Sequence, residues 1–240
     1  MKKFKYCALV MAALIILSGC GASNTTKGGL IGGGSGAALG ALVGNLIGKD
    51  TKGTVIGAAV GTAVGTTAGV LIGKKMDKAK AAAAAVENAQ VESVKDNNGL
   101  DAVKVTFDSG ILFTTSSSSL SSTAMSNLAD FTNNVLKAYP DCDVAIQGYT
   151  DNTGWKNSTA EQSVQKNIEL SQQRADAVKS YLLKSGAATS QIKSSTGFGE
   201  NNPVASNDTK EGQAQNRRVE IYLYASEAMI KEAEANATQQ

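Results

Sequence analysis

Glycine returns at every fourth position through two runs: Gly28, Gly32, Gly36, Gly40, Gly44 and Gly48, then Gly53, Gly57, Gly61, Gly65, Gly69 and Gly73. Glycine costs a helix about 1 kcal/mol relative to Ala, so a line of six must be offset by backbones that approach closely along it. Neither run contains a charge, and the polar segment Lys49-Asp50-Thr51-Lys52 separates them. The pattern predicts a helical hairpin over residues 28–73, each arm about 31 Å long at 1.5 Å per residue. That length matches the core of a bilayer. A high content of Gly, Thr and Ala makes the hairpin only weakly hydrophobic. Two readings therefore stand: insertion into lipid, or association with itself or with further copies of the chain outside it. Gly32, Gly34 and Ala37 also fit a dinucleotide fingerprint, but no strand precedes them and the four-residue period accounts for them.

Ahead of this region lie a basic start (Lys2, Lys3, Lys5), an apolar run from Ala8 to Leu17, and the tetrad Leu17-Ser18-Gly19-Cys20. This is the form of a secretory signal, and the run falls short of the roughly 20 apolar residues of a membrane-spanning helix. The tetrad resembles the lipobox of bacterial lipoproteins. That resemblance implies removal of residues 1–19 and acylation of Cys20 with chains such as palmitate, leaving 20–27 as a lipidated N-terminus. Three acyl chains at about 0.8 kcal/mol per buried methylene make a lasting anchor. By the habit of such lipoproteins, Gly21 after the Cys directs the chain to the outer membrane. The glycine runs likewise resemble the glycine-zipper segments of some envelope lipoproteins.

The whole chain carries a formal charge of +2, and the signal holds three Lys and no acid, so the mature chain stands at −1. That balance argues against a nucleic-acid partner. The chain has no His, which removes the usual general base, the commonest metal ligand and the neutral-pH switch. No catalytic residue, metal or cofactor is expected. With Cys7 in the signal and Cys20 acylated, Cys142 stands alone and reads as a small buried apolar residue near a strand start.

From Lys74 to Asn98 the chain is rich in Ala, Lys and Glu without Gly or Pro, which predicts a helical linker over 74–99, about 37 Å long. Alternating strand and helix periods follow over residues 100–225, with a tail at 226–240. Val103, Val105 and Phe107 mark one strand, and Cys142, Val144 and Ile146 a second. Ile192 begins a third strand region, and Val219, Ile221 and Leu223 alternate in a fourth. Helical spacing links Leu120, Ala124, Leu128, Phe131 and Val135 up to Pro140. It also links Val164, Ile168, Ala175, Val178 and Leu182 up to Gly186. The Ser116–Ser119 loop reads as a polar connection and helix cap. The expected fold is an α/β (α+β) sandwich with one core, helices against a sheet.

Only three of the 23 basic residues are Arg: Arg174, Arg217 and Arg218. A chain that meets its general need for charge with Lys uses Arg where a planar, bidentate donor is wanted. Arg174 shares a stripe with Leu170, Ala177 and Tyr181 beside an apolar face, so it should be partly desolvated and in need of an anion. Asp151 falls where the second strand meets a polar turn, the place where open sheets commonly hold ligands. By strand parity Arg217 points toward the core edge, while Arg218 faces outward or pairs on the sheet.

Three motifs occur in order: Gly148-Tyr149-Thr150-Asp151-Asn152-Thr153-Gly154, then Asn167-x-x-Leu170-Ser171-x-x-Arg174-Ala175, then Thr209-x-x-Gly212-x-Ala214-x-Asn216-Arg217-Arg218-Val219-Glu220. Together they resemble the OmpA-type peptidoglycan-binding domain over roughly residues 101–225. With the lipobox and zipper, the chain resembles OmpA-family outer-membrane lipoproteins. The resemblance implies an envelope protein anchored in the outer membrane, its C-terminal domain in the periplasm. Asp151 and Arg174 would bind the zwitterionic end of meso-diaminopimelate in the peptide stem of peptidoglycan. Thr150, Asn152, Thr153 and Asn167 would supply hydrogen bonds, and Arg217 would shape the site. On the residues alone, Asp151 and Arg174 could equally form a structural ion pair.

Tyr149 stands where the family often has His, and Gln213 where it often has Arg. Twelve residues, Trp155 to Lys166, separate Gly154 from Asn167 where about four are usual in that family. This insertion reads first as a longer helix start or surface loop, with contact to glycan or peptide as the alternative. Two other functions compete with tethering. A pore or membrane-perturbing protein could be built on the hairpin. A cell-wall enzyme could use Ser163-Val164-Gln165-Lys166 or Ser190-Gln191-Ile192-Lys193 as a Ser-x-x-Lys motif with Lys184-Ser185-Gly186. No Ser-x-Asn lies between, and the spacing is too short for that fold.

Overall fold

The computed structural model describes residues 67–96, 99–114 and 116–237. Cys20, the signal segment and the glycine runs up to residue 66 lie outside the described residues. The described chain runs α1 (Thr67–Ala84), β1 (Gln90–Lys95), β2 (Asp101–Asp108), α2 (Ser109–Leu112), α3 (Ser122–Phe131) with a π-helical turn (Thr132–Leu136), β3 (Cys142–Gly148), α4 (Ala160–Lys184), β4 (Ile192–Gly197), α5 (Lys210–Asn216), β5 (Arg218–Ala225) and α6 (Glu227–Ala237). The strands form one mixed sheet in the order β1-β2-β5-β3-β4. Only β3 and β4 are parallel, and α4 supplies the crossover that a parallel pair requires. This is the α/β architecture expected from the alternating periods.

Period-2 alternation divides the sheet into two faces. Val103, Val105 and Phe107 share one face with Val144, Ile146, Val219, Ile221 and Leu223. There they join Ala124, Leu128, Phe131, Val135, Ala175, Val178 and Leu182 in one apolar cluster. Phe107 and Phe131 meet edge to face at 6.3 Å, the favoured arrangement for a ring pair. Cys142 is buried at the start of β3 and free. The opposite face carries a small cluster that includes Ala102, Ala145, Tyr222 and Tyr224, beside buried Lys104, Gln147, Arg218 and Glu220.

The folded body is larger at both ends than the sequence reading allows. The helix beyond Lys74 stops at Ala84, and the chain returns as β1, an antiparallel edge strand on β2 with Val91 opposite Val105. Residues 74–99 are therefore not a continuous helical linker. Ile72, Met76, Ala79 and Ala83 are buried along one stripe of α1. Ala and Lys are strong helix formers whatever they face, so propensity revealed the helix and hid its partner. The C-terminal segment likewise forms α6, whose Met229, Ile230 and Ala233 enter the core cluster, and α6 packs on α1. Among the described residues no helix is long and apolar enough to cross a membrane.

Candidate functional site

At one rim of the sheet β2 and β3 end and β5 begins, with Asp108 opposite Arg218 and Gly148 opposite Val219. Beyond the ladders, Ser109 N donates to Arg217 O at 3.0 Å and Tyr149 N to Arg218 O at 2.9 Å. Residue 217 thus lies between the chain leaving β2 and the chain leaving β3. Over this rim crosses the first half of α4, opened by a capping box in which Thr159 and Gln162 satisfy each other's backbone N–H. Two glycines let α4 settle there. A Cβ at residue 148 would lie 2.2 Å from Ser171 O, and one at 197 would lie 2.1 Å from Gln172 N.

The buried stripe of α4 changes character along its length. Ala175, Val178 and Leu182 face the apolar core, whereas Ser163, Asn167, Ser171 and Arg174 are the buried residues nearer the rim. Val164, expected on the apolar face, is 38% exposed, and Ile168 is only partly buried. The first half of the helix makes its buried contacts with the polar groups where the strands end. Ser171 Oγ accepts from Gly199 N at 2.8 Å and donates to Ile168 O at 2.7 Å.

A cleft of about 790 Å³ opens at this rim, and Thr150, Asp151, Thr153, Asn167, Arg174 and Arg217 all line it. Asn152 is exposed and is not among the lining residues, so it stands apart from the other expected site residues. Ser109, Gly110, Phe113, Leu170, Lys210 and Gln213 complete much of the wall. Of these, Ser109, Gly110 and Phe113 carried no sequence signal because they come from a segment distant in the chain, and Lys210 carried none because it fills an unspecified position of the third motif. The Ser109 and Thr150 hydroxyls are buried without a hydrogen-bond partner, an arrangement that usually marks a place for water or ligand.

Asp151 is 6% exposed. Its Oδ1 accepts from Thr153 N at 2.9 Å and its Oδ2 pairs with Arg217 Nη1 at 2.5 Å. Burial pushes its carboxyl upward, but Arg217 and Thr153 outweigh that and hold it below the usual carboxylate range. Arg174 is 4% exposed. Its Nε donates to Ser117 O at 3.0 Å, and its guanidinium carbon lies 5.2 Å from the centre of the Phe113 ring. No carboxylate pairs with it among the described residues. Burial first, then the nearby Arg217 cation, lower its pKa from the ordinary arginine value, while Asp151 opposes them. The expected desolvation of Arg174 is present, but the protein carboxylate in the cleft is paired with Arg217 instead.

The Trp155–Lys166 insertion is part loop and part helix, since α4 begins at Ala160. Trp155 lines the cleft, and its Nε1 donates to Asn167 Oδ1 at 2.8 Å. The Asn167 amide in turn reaches Glu200 Oε2 at 3.0 Å, with Asp151 O and Thr153 O at 3.4 Å. Ser163 Oγ accepts from Trp155 N at 3.0 Å, and Lys166 Nζ donates to Ser158 Oγ at 2.9 Å. The Ser-x-x-Lys match at 163–166 is thus occupied in shaping this loop. Arg218 takes the second of its expected placements, pairing on the sheet. It meets Glu220 at 2.7 Å, lies 3.8 Å from the Tyr149 ring centre, and is 3% exposed.

Residues 112–217 match the OmpA family and residues 1–77 match the YMGG-like Gly-zipper. The probable lipoprotein YiaD of Escherichia coli is 51% identical over 89 residues, 37% of this chain and 36% of that protein. The peptidoglycan-binding protein ArfA of Mycobacterium tuberculosis is 52% identical over 88 residues, 37% of this chain and 24% of its own length. The chain therefore spans only about a third of the first of these relatives and a quarter of the second. Among solved structures, a MotB-like protein from Desulfovibrio vulgaris shares 26% identity with a TM-score of 0.51, covering 66% of this chain and 92% of that one. Residues 112–217 thus form an OmpA-family domain, in a chain whose N-terminal region is of the YMGG-like Gly-zipper type.

Proposed function

We propose that this domain binds peptidoglycan non-covalently by its peptide stem, taking the zwitterionic end of meso-diaminopimelate, and catalyses no reaction. With acylated Cys20 in the outer membrane, the chain would tether that membrane to the cell wall from the periplasmic side. The observation that carries the reading is Arg174: a guanidinium 4% exposed, lacking a carboxylate partner, in the same cleft as Asp151. Leaving a buried charge unpaired costs several kcal/mol, and a ligand carboxylate on its planar fork would recover that. The ammonium of the same ligand would meet Asp151. The Thr150 hydroxyl remains at the wall without a partner, beside Thr153 and Asn167, whose hydrogen bonds run to Asp151, Trp155 and Glu200, and the ArfA relative is named for binding this polymer.

The test is co-sedimentation of the full chain, solubilised in detergent, with purified cell-wall sacculi. Asp151→Ala and Arg174→Ala should each cost about 2–5 kcal/mol of binding while the thermal melt shows a folded domain. Arg174→Lys should fail nearly as badly, since a point charge lacks the bidentate fork. Wild-type sedimentation by folded Asp151→Ala and Arg174→Ala would refute the assignment.

A further inference from the structure

Four ionisable side chains line the cleft, and they do not balance. Arg174, Arg217 and Lys210 bring three cations and Asp151 one carboxylate. The carboxylate is committed on both oxygens, Oδ1 to Thr153 N and Oδ2 to Arg217 Nη1. A ligand ammonium therefore meets an Asp151 that already has a cation. The two consecutive arginines differ sharply in how they are held. Arg218 is pinned by Glu220, by Asn216 O and Asn202 O at 3.2 Å, and by the Tyr149 ring. Arg217 has one side-chain bond, the one to Asp151, and its side chain is 39% exposed. Among the described residues no second side-chain bond holds the Arg217 guanidinium.

We propose that Arg217 is the specificity-determining residue of the cleft, an internal competitor for Asp151 that a ligand ammonium must displace. The inference rests on the binding reading above and deepens it. Recognition becomes an exchange of one cation for another on Asp151, coupled to the addition of a carboxylate on Arg174. Arg217 then holds down affinity for zwitterions, because the competent form of Asp151 is only the fraction from which Arg217 has left. It also narrows the preference for a zwitterion over a plain carboxylate, because a neutralised Asp151 does not repel an anion that carries no ammonium. The partnerless Ser109 and Thr150 hydroxyls belong to the segments on either side of residue 217. They are acceptors within the cleft for a donor that leaves Asp151.

Two probes with the same seven-carbon diacid frame separate the charges: meso-diaminopimelate, with ammonium groups, and pimelate, without them. Calorimetric titration of the full chain in detergent compares wild type, Arg217→Gln and Arg217→Lys. Arg217→Gln should bind meso-diaminopimelate about tenfold or more tightly than wild type and pimelate less tightly. Arg217→Lys, which keeps a cation but loses the fork, should fall between. Arg217→Gln should melt lower than wild type alone, as loss of a structural pair would also cause; its larger gain in melting temperature from added meso-diaminopimelate is the readout that a merely structural role would not move. If Arg217→Gln weakens both probes, Arg217 is an ordinary ligand contact and the proposal is overturned. Unchanged affinities overturn it as well, and so does a folded Arg217→Lys outside the interval between wild type and Arg217→Gln. If wild type binds neither probe and sediments with sacculi independently of Asp151, the binding reading itself fails and takes this inference with it.

Discussion

The indole Nε1 of Trp155 donates to the Asn167 side-chain oxygen at 2.8 Å, and this bond decides which end of the Asn167 amide faces the cleft rim. With the oxygen engaged, the nitrogen turns toward Glu200 and the backbone oxygens of Asp151 and Thr153. A residue of the insertion thereby orients a residue of the shared motif. Trp155→Phe keeps a ring in the wall and deletes only the donor. It should lower sacculus binding several-fold, by about 1 kcal/mol, with a small drop in melting temperature. Binding equal to wild type would mean that the indole N–H has no part in holding the site.

Asp151 sets an acid limit. Its folded pKa lies below its unfolded value of about 3.9, so its contribution to stability is complete above that value and disappears as pH falls through the folded one. Acid denaturation followed by circular dichroism should show Asp151→Asn losing less stability than wild type below about pH 4. The stability difference between the two should stay constant from pH 5 to 8. Sacculus binding by wild type should likewise be flat across that neutral range, because Asp151 stays charged throughout it.

Close approach of α4 to the sheet makes Gly148 and Gly197 intolerant of any side chain. Gly148→Ala would bring a methyl to 2.2 Å from Ser171 O, which backbone must yield to relieve. Overpacking of this kind costs about 1–3 kcal/mol, occasionally more, and urea unfolding should register it for Gly148→Ala and Gly197→Ala alike. Because α4 carries Arg174 and Asn167, the displaced helix should also bind sacculi less well at temperatures where the variants remain folded.

Burial pushes the Cys142 thiol up to about 12. The thiolate is the reactive form, so a chromogenic disulfide reagent at pH 8 should leave Cys142 untouched in the native chain and modify it quickly in 6 M urea. Fast reaction in the native state would contradict the enclosed start of β3.

Most of the strand readings and the two long helices were legible because they bury a face with a clear period, as Val103, Val105 and Phe107 do in β2, whereas β4 was marked only by Ile192, its single buried residue. Edge strand β1 was not: its residues are mostly exposed, with Val94 the single fully buried one, so little alternation survives in Gln90–Lys95. The cleft was legible in its charged members, since Asp151 and Arg174 stand out chemically from their surroundings. Their pairing was not. Parity sent Arg217 toward the core edge, but residue 217 precedes β5 and caps α5 with an extended backbone. Its side chain therefore lines the rim, within reach of Asp151. Strand periodicity carries no information where the ladder stops.

The burial of α1 also determines how a pulling force would travel through the molecule. Gly69 and Gly73, the last two members of the glycine period, lie inside a helix whose Ile72, Met76, Ala79 and Ala83 are wedged into the folded body. Tension arriving along the chain ahead of Thr67 would be borne first by those side chains, then by the β1–β2 ladder, and only afterwards by β3, which leads to Asp151. In the tether proposed above, α1 would peel away under rising load before the cleft changed shape, which would insulate the grip on a wall ligand.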